Sequence, residues 1–222
     1  MKKFIINTLR DNIKSYLWIA LLFVVWRIVL FIISFFGSIY FPFSPRFPYS
    51  DVYFTKSNIP QWIWSFANFD GVHYIGIALR GYWAQYSQVF FPGFPLIINF
   101  IHSIFPQFSI VYLGLFLSNS FFLFSLIMFY KLLILDYSKK TAFWIIIILL
   151  LFPTSFYFGS YYTESLFFLL CISSFYFSRK KKWRLASILG GIASGTKLIG
   201  IFLLPALLVE FVSLGKNKSA IN

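Results

Sequence analysis

The 222-residue chain is 59% hydrophobic and only 11% charged, with a mean hydropathy of +0.79. A soluble domain carries about 25% charged residues, so that class is excluded, and the apolar runs are continuous rather than alternating, which excludes an outer-membrane barrel. The net charge of +13 comes from bases clustered at the ends of apolar runs, a pattern that sets membrane topology and argues against nucleic acid as a partner.

In chain order, Lys2, Lys3, Arg10 and Lys14 precede an apolar span over about 16–41. That run is longer than the ~7–15-residue core of a signal peptide and no small-residue cleavage site follows, so it reads as an uncleaved anchor with a cytoplasmic N-terminus. Arg27 falls near its middle, where a charge costs roughly 2.5–3.5 kcal/mol to insert, and is expected to face protein or water. Residues 42–107 form an outer loop that begins with Pro42, Pro45 and Pro48. Within it, residues 59–66 suit an interfacial helix, with Trp62 and Trp64 at headgroup depth.

Residues 68–82 follow, NFDGVHYIGIALRGY. At 100° per residue Asp70, His73, Ile77 and Arg80 share one face, and Val72, Ile75 and Leu79 lie opposite. This predicts a short amphipathic helix at the membrane surface; ordinary surface charges on a solvated loop helix are the plainer reading. Pro92 and Pro95 in FFPGFP mark a helix start, and residues 96–105 are short for a crossing, so they read as interfacial or re-entrant.

Further spans are expected at about 108–132, 141–158, 163–178, 185–196 and 197–214, all in one membrane domain. Lys131, Lys139, Lys140, the cluster over 179–184, Lys216 and Lys218 then lie inside, and Arg46, Lys56 and Arg80 outside. Lys197 sits at a glycine-flanked break between the last two segments. Cys171, the one cysteine, lies inside an apolar run, so there is no disulfide framework.

The acids Asp51, Asp70 and Glu164 fall on the outer side, the last two where loop meets apolar helix. A pocket of carboxylate, imidazole and cation there suits a substrate with an anionic phosphate and a hydroxyl that needs a base. No metal-ligand spacing, phosphate loop or nucleophile motif is present, and no cofactor is expected. Arg27, Lys197 and the broken helix are also compatible with a lipid or solute transporter, although no inverted repeat is visible. An inactive membrane partner subunit is the third reading.

Residues 69–82, then FFPGFP at 90–95, FPTSF at 152–156, YTESL at 162–166 and ASGTK at 193–197 together resemble the PIG-V mannosyltransferases, of the GT-C class of membrane glycosyltransferases. Order and spacing match from about Arg27 onward. Relatives often carry Trp where Phe69 stands and Arg where Lys197 stands. Family members are longer, so the chain is expected to be the N-terminal half of a GT-C module.

The resemblance implies an all-α, polytopic GT-C bundle with interfacial helices in the first outer loop. It implies transfer of a sugar, mannose in the family, from a polyprenyl- or dolichyl-phosphate donor to a lipid- or protein-linked glycan acceptor. Transfer would proceed with inversion, on the non-cytoplasmic face of a bacterial or archaeal cell membrane or of the endoplasmic reticulum. It puts the base at Asp70. Arg80, His73 and Lys197 are candidates for the donor phosphate, and Glu164 for positioning the acceptor, unless it is simply an acid at a helix N-terminus.

Overall fold

The computed structural model describes residues 2–44, 47–55 and 57–219, with side chains from 13 to 213 apart from residue 55. The expected outside positions of Arg46 and Lys56 lie outside the described residues, as do the side chains of Lys2, Lys3, Arg10, Lys216 and Lys218. Among the described residues the chain is all-α, with no strand.

Helix α1, Lys2–Tyr40, contains no proline and runs unbroken through the expected first span. One narrow face, with Ile19, Trp26 and Arg27, is buried; Leu17, Val24, Val25, Ile28 and Ile32 are exposed. So wide an apolar surface is stable only against lipid or other protein. Helix α5, Ile110–Leu133, is the second helix long and apolar enough to cross a bilayer. With this helix content, they make the chain an all-α membrane protein.

Between them lie α2, Gln61–Trp64, with a 3-10 turn to Ala67, then α3, Asp70–Arg80, and α4, Gly93–Ile104. The expected helix forms, with Asp70 and Arg80 of its polar face exposed, but it is covered on more sides than periodicity suggests. Gly71, Val72, Tyr74, Ile75, Gly76, Ile77 and Ala78 are all buried, whereas Leu79, expected on the apolar face, is exposed. Small residues explain the difference. A Cβ on Gly76 would lie 3.1 Å from Trp83 Nε1 and 3.2 Å from Tyr53 Oη, and one on Gly71 would lie 3.3 Å from the Tyr161 carbonyl oxygen. Glycine lets neighbours close over α3 on sides where periodicity alone exposes it.

Helix α6, Lys139–Leu151, starts on Ser138, whose Oγ accepts from Thr141 N at 3.1 Å, satisfying a free helix donor. It ends where Phe152 turns extended before Pro153, the backbone region a residue preceding proline prefers. The 3-10 segment Pro153–Gly159 leaves at 87°, so the helix expected over 141–158 stops at Leu151. Helix α7, Glu164–Arg179, then packs along α5 more extensively than any other pair. Small residues are buried on both helices, Gly114, Ser118 and Ser125 on α5 and Ser165, Ser173 and Ser174 on α7, and small buried residues let membrane helices approach closely.

Helix α8, Trp183–Ser194, folds back on α7, with Ser174 Oγ donating to the Ala186 carbonyl at 2.8 Å. After a break and the 3-10 segment Leu198–Phe202, α9 runs over Leu203–Ser219. Arg179 ties the basic end of α7 bidentately to Asp136 at 2.6 and 2.8 Å, and through Nε to Glu210 on α9 at 3.3 Å.

Candidate active site

Four of the five sequence blocks singled out above are joined by direct contacts in space. Tyr161 N donates to the Phe66 carbonyl at 2.8 Å and Tyr162 Oη to the Asn68 carbonyl at 2.9 Å. The loop before α7 is thereby stapled to the turn before α3. Gly93 N donates to the Gly195 carbonyl at 3.0 Å. A Cβ on Gly93 would come within 2.8 Å of that oxygen and 2.7 Å of Thr196 Cγ2, so the glycine between the two prolines is what lets this contact form. Tyr74 Oη lies 3.5 Å from Thr163 Oγ1.

The turn that presents Asp70 is tight. Gly71 N donates to the Asn68 carbonyl at 3.2 Å, and Phe69 stands between with φ +53° and ψ −122°. Those angles are the first central position of a type II′ turn, which favours glycine; a phenylalanine there holds strain of about 1–3 kcal/mol. Its reward is that Asp70 opens α3 with its carboxylate on the wall of a cavity of about 600 Å³. Leu30, Ile33 and Ser34 of α1 form one wall, Phe66 and Phe69 another, and Tyr157, Ser160 and Tyr162 a third. Asp70 is the one carboxylate among the described lining residues and makes no ion pair with a described side chain. Burial pushes Tyr74 up to about 12 and raises Tyr162 as well, so both phenols stay protonated at neutral pH, and Tyr162 donates to the Asn68 carbonyl.

A second, nearly apolar groove shares Leu30 and Pro153 with this cavity. It runs between α1 and α6 along Leu22, Val25, Trp26, Val29, Leu150 and Leu151. The Asp70 cavity therefore adjoins a groove on the face that carries the exposed apolar side chains of α1.

The other sequence candidates are arranged differently. His73, one turn from Asp70, stacks on Phe90 of FFPGFP at 4.6 Å with Phe47 and Tyr49 at its edges. Burial lowers its pKa against the opposing pull of the Asp70 carboxylate, so the ring is neutral at pH 7. Arg80 is ten residues along the same helix, about 15 Å at ~1.5 Å per residue. Its guanidinium lies over the Trp83 ring at 5.1 Å. Lys197 Nζ and Glu164 Oε1 form an ion pair at 2.6 Å, each side chain under a third exposed, joining the break after α8 to the first residue of α7. Sequence reasoning did not single out the turn-holding roles of Tyr161 and Tyr162, although both lie in a quoted block or beside one. Among the described residues no three His, Cys, Asp or Glu side chains gather as metal ligands.

The family model for mannosyltransferase (PIG-V) matches residues 9–211. The chain belongs to the PIG-V mannosyltransferase family. No curated protein and no solved structure matches it. Of the readings the sequence left open, membership selects a membrane glycosyltransferase that handles mannose, with a sugar donor and an acceptor.

The Lys197–Glu164 pair carries a prediction of its own. Lys197→Met and Glu164→Gln should each destabilise the protein, and the double variant should recover part of the loss. The coupling expected is about 1 kcal/mol, as for a pair still partly reached by water. It is measurable from thermal inactivation of the four proteins in detergent. Strict additivity would show the two groups do not depend on each other. Lys197→Arg, which keeps the charge, should retain more mannose transfer than Lys197→Met.

Proposed function

We propose that this PIG-V family member transfers mannose from a polyprenyl- or dolichyl-phosphate mannose to a hydroxyl of a lipid- or protein-linked glycan, as a multi-pass protein acting on the non-cytoplasmic side. The observation that carries this reading is Asp70. It is a carboxylate without an ion-pair partner among the described residues, on a cavity that adjoins an apolar groove of the right character for a prenyl chain. The acceptor oxygen attacks the anomeric carbon from the side opposite the phosphate while Asp70 takes the hydroxyl proton. The carbon–oxygen bond to phosphate breaks, and the electron pair leaves on the lipid phosphate. Attack from the opposite side inverts the anomeric centre. A general base contributes about 10²–10⁴-fold to such a step.

The basic clusters at Lys139, Lys140 and over 179–184 favour placing those ends in the cytoplasm and Asp70 on the far side. The neutral His73 supplies a hydrogen-bond donor near Asp70, and Lys197 with Glu164 holds the loop whose tyrosines shape the cavity. Arg80 stands at the far end of α3, where it could meet only an extended part of the donor or acceptor.

The test uses sealed vesicles of known orientation. With polyprenyl-phosphate [³H]mannose and a glycolipid acceptor, transfer should occur when the face bearing Asp70 meets both substrates. Nucleotide-linked mannose, supplied without a lipid carrier, should give none. Equal transfer from the nucleotide donor, or transfer only at the cytoplasmic face, would overturn the proposal.

A further inference from the structure

Arg27 is 93% buried by side-chain neighbours, since only 7% of its surface is reached by solvent. Its guanidinium is held between two rings, Phe31 at 4.1 Å and Phe66 at 4.2 Å. None of its three nitrogens has a hydrogen-bond partner among the described residues. The described acids do not supply a counter-charge: Asp136 and Glu210 pair with Arg179, Glu164 pairs with Lys197, and neither Asp51 nor Asp70 pairs with Arg27. Two cation–π contacts offset only part of the cost of burying a charge.

The position of this cation relative to the cavity is informative. Arg27 and Ser34 are seven residues apart on α1, within about 20° of one face at 100° per residue, and Ser34 lines the Asp70 cavity. Phe66 covers the guanidinium on one side and lines the cavity on the other. Nη1 presses on Gly159, where a Cβ would come within 2.5 Å of it, and the next residue, Ser160, is again cavity wall. The charge thus lies one ring or one backbone thickness beneath the cavity floor. Across a layer of low-dielectric protein that thin, its field reaches an anion on the other side.

We propose that Arg27 is the fixed positive charge that selects a phosphate carried on a prenyl chain, the donor's diester and the departing monoester alike, for the Asp70 cavity, acting through Phe66 as a positioning residue. This deepens the glycosyl-transfer reading and rests on it for the identity of the site. It supplies the cation that a departing lipid phosphate requires, from a residue whose place mid-helix had no other account.

The experiment compares binding of undecaprenyl phosphate and of undecaprenol to the purified full chain, followed by intrinsic tryptophan fluorescence. Wild type should prefer the phosphate, and Arg27→Leu should lose that preference by about 10- to 30-fold, the scale of a charge pair across one ring at intermediate dielectric. Its affinity for the alcohol should not change. Asp70→Asn should keep the preference. Phosphatidylglycerol and inorganic phosphate should not displace the prenyl phosphate; equal displacement by either would assign the charge to any phosphate and overturn the proposal. Arg27→Lys, which keeps the charge, should retain part of the preference. Gly159→Ala keeps the charge but pushes it aside, and should weaken the preference even if Arg27→Leu fails to accumulate. A wild type with no preference, or an unchanged preference in Arg27→Leu or Gly159→Ala, sinks the idea. Phosphate selection by Arg27 without any mannose transfer would instead count against the reading of the reaction and leave this one standing.

Discussion

Replacing Asp70 by asparagine should cut mannose transfer by about 10²–10⁴-fold. Asparagine keeps the size and much of the hydrogen bonding of aspartate but cannot accept the acceptor's proton. The side chain is exposed to the cavity and makes no described ion pair, so folding has little to lose. The turn around it is held by Tyr161 N to the Phe66 carbonyl and by Tyr162 Oη to the Asn68 carbonyl, contacts that do not use the carboxylate. Protein yield and donor binding should therefore stay close to wild type, and rates must be compared at matched protein levels. Because Tyr74 and Tyr162 stay protonated, neither can stand in as base. Near-normal transfer by the asparagine variant would move the base elsewhere, with Asp51 and Glu164 next. A variant that fails to accumulate would make the acid structural.

The second large effect is expected far from the reacting atoms, at Gly114→Ala. A Cβ there would lie 2.0 Å from Cε2 of Tyr161 and 2.5 Å from its Cζ. The ring cannot easily yield, because it is fully buried and packs edge-on against Phe94 at 5.7 Å. Alanine gains about 1 kcal/mol over glycine in helix propensity. Overpacking a core costs about 1–3 kcal/mol and more where the neighbour is fixed, so the balance is unfavourable. The displaced ring belongs to the residue whose backbone N–H holds Phe66, and the Asp70 turn should loosen with it. Both the thermal inactivation midpoint and the transfer rate should fall. Gly37→Ala, on α1 with nothing within 4 Å of the added carbon, is the control and should be neutral or mildly stabilising. A higher midpoint for Gly114→Ala would mean that propensity wins and that the ring is free to move.

The membrane class was legible in the sequence, and so were the segments that form the candidate site, because hydropathy and motif order are local properties. Four of the five blocks that carried the family resemblance are linked to one another by contacts around α3, α4 and the start of α7. What the sequence could not show are relations across long separations. Lys197 and Glu164 lie 33 residues apart, and nothing in either neighbourhood predicts that they neutralise one another. Helical periodicity put Ile77 with the polar residues and Leu79 with the apolar ones, and the reverse holds, since glycines on α3 admit neighbours from several sides. Arg27 was visible as an expensive charge. Its sandwich between Phe31 and Phe66 joins α1 to a 3-10 turn some forty positions away and leaves no mark in the spacing.

The backbone at Phe69 has a consequence for how this position can change over time. A turn of that shape is easiest for glycine, and random substitution under selection for foldability alone would drift toward it. The aromatic ring that stands there instead lines the cavity and packs at 5.6 Å from Phe47, so the strain at this position is coupled to the shape of the cavity wall. Anyone hardening this enzyme by relaxing its strained sites would reach Phe69 early, and would there be trading away the cavity wall beside Asp70.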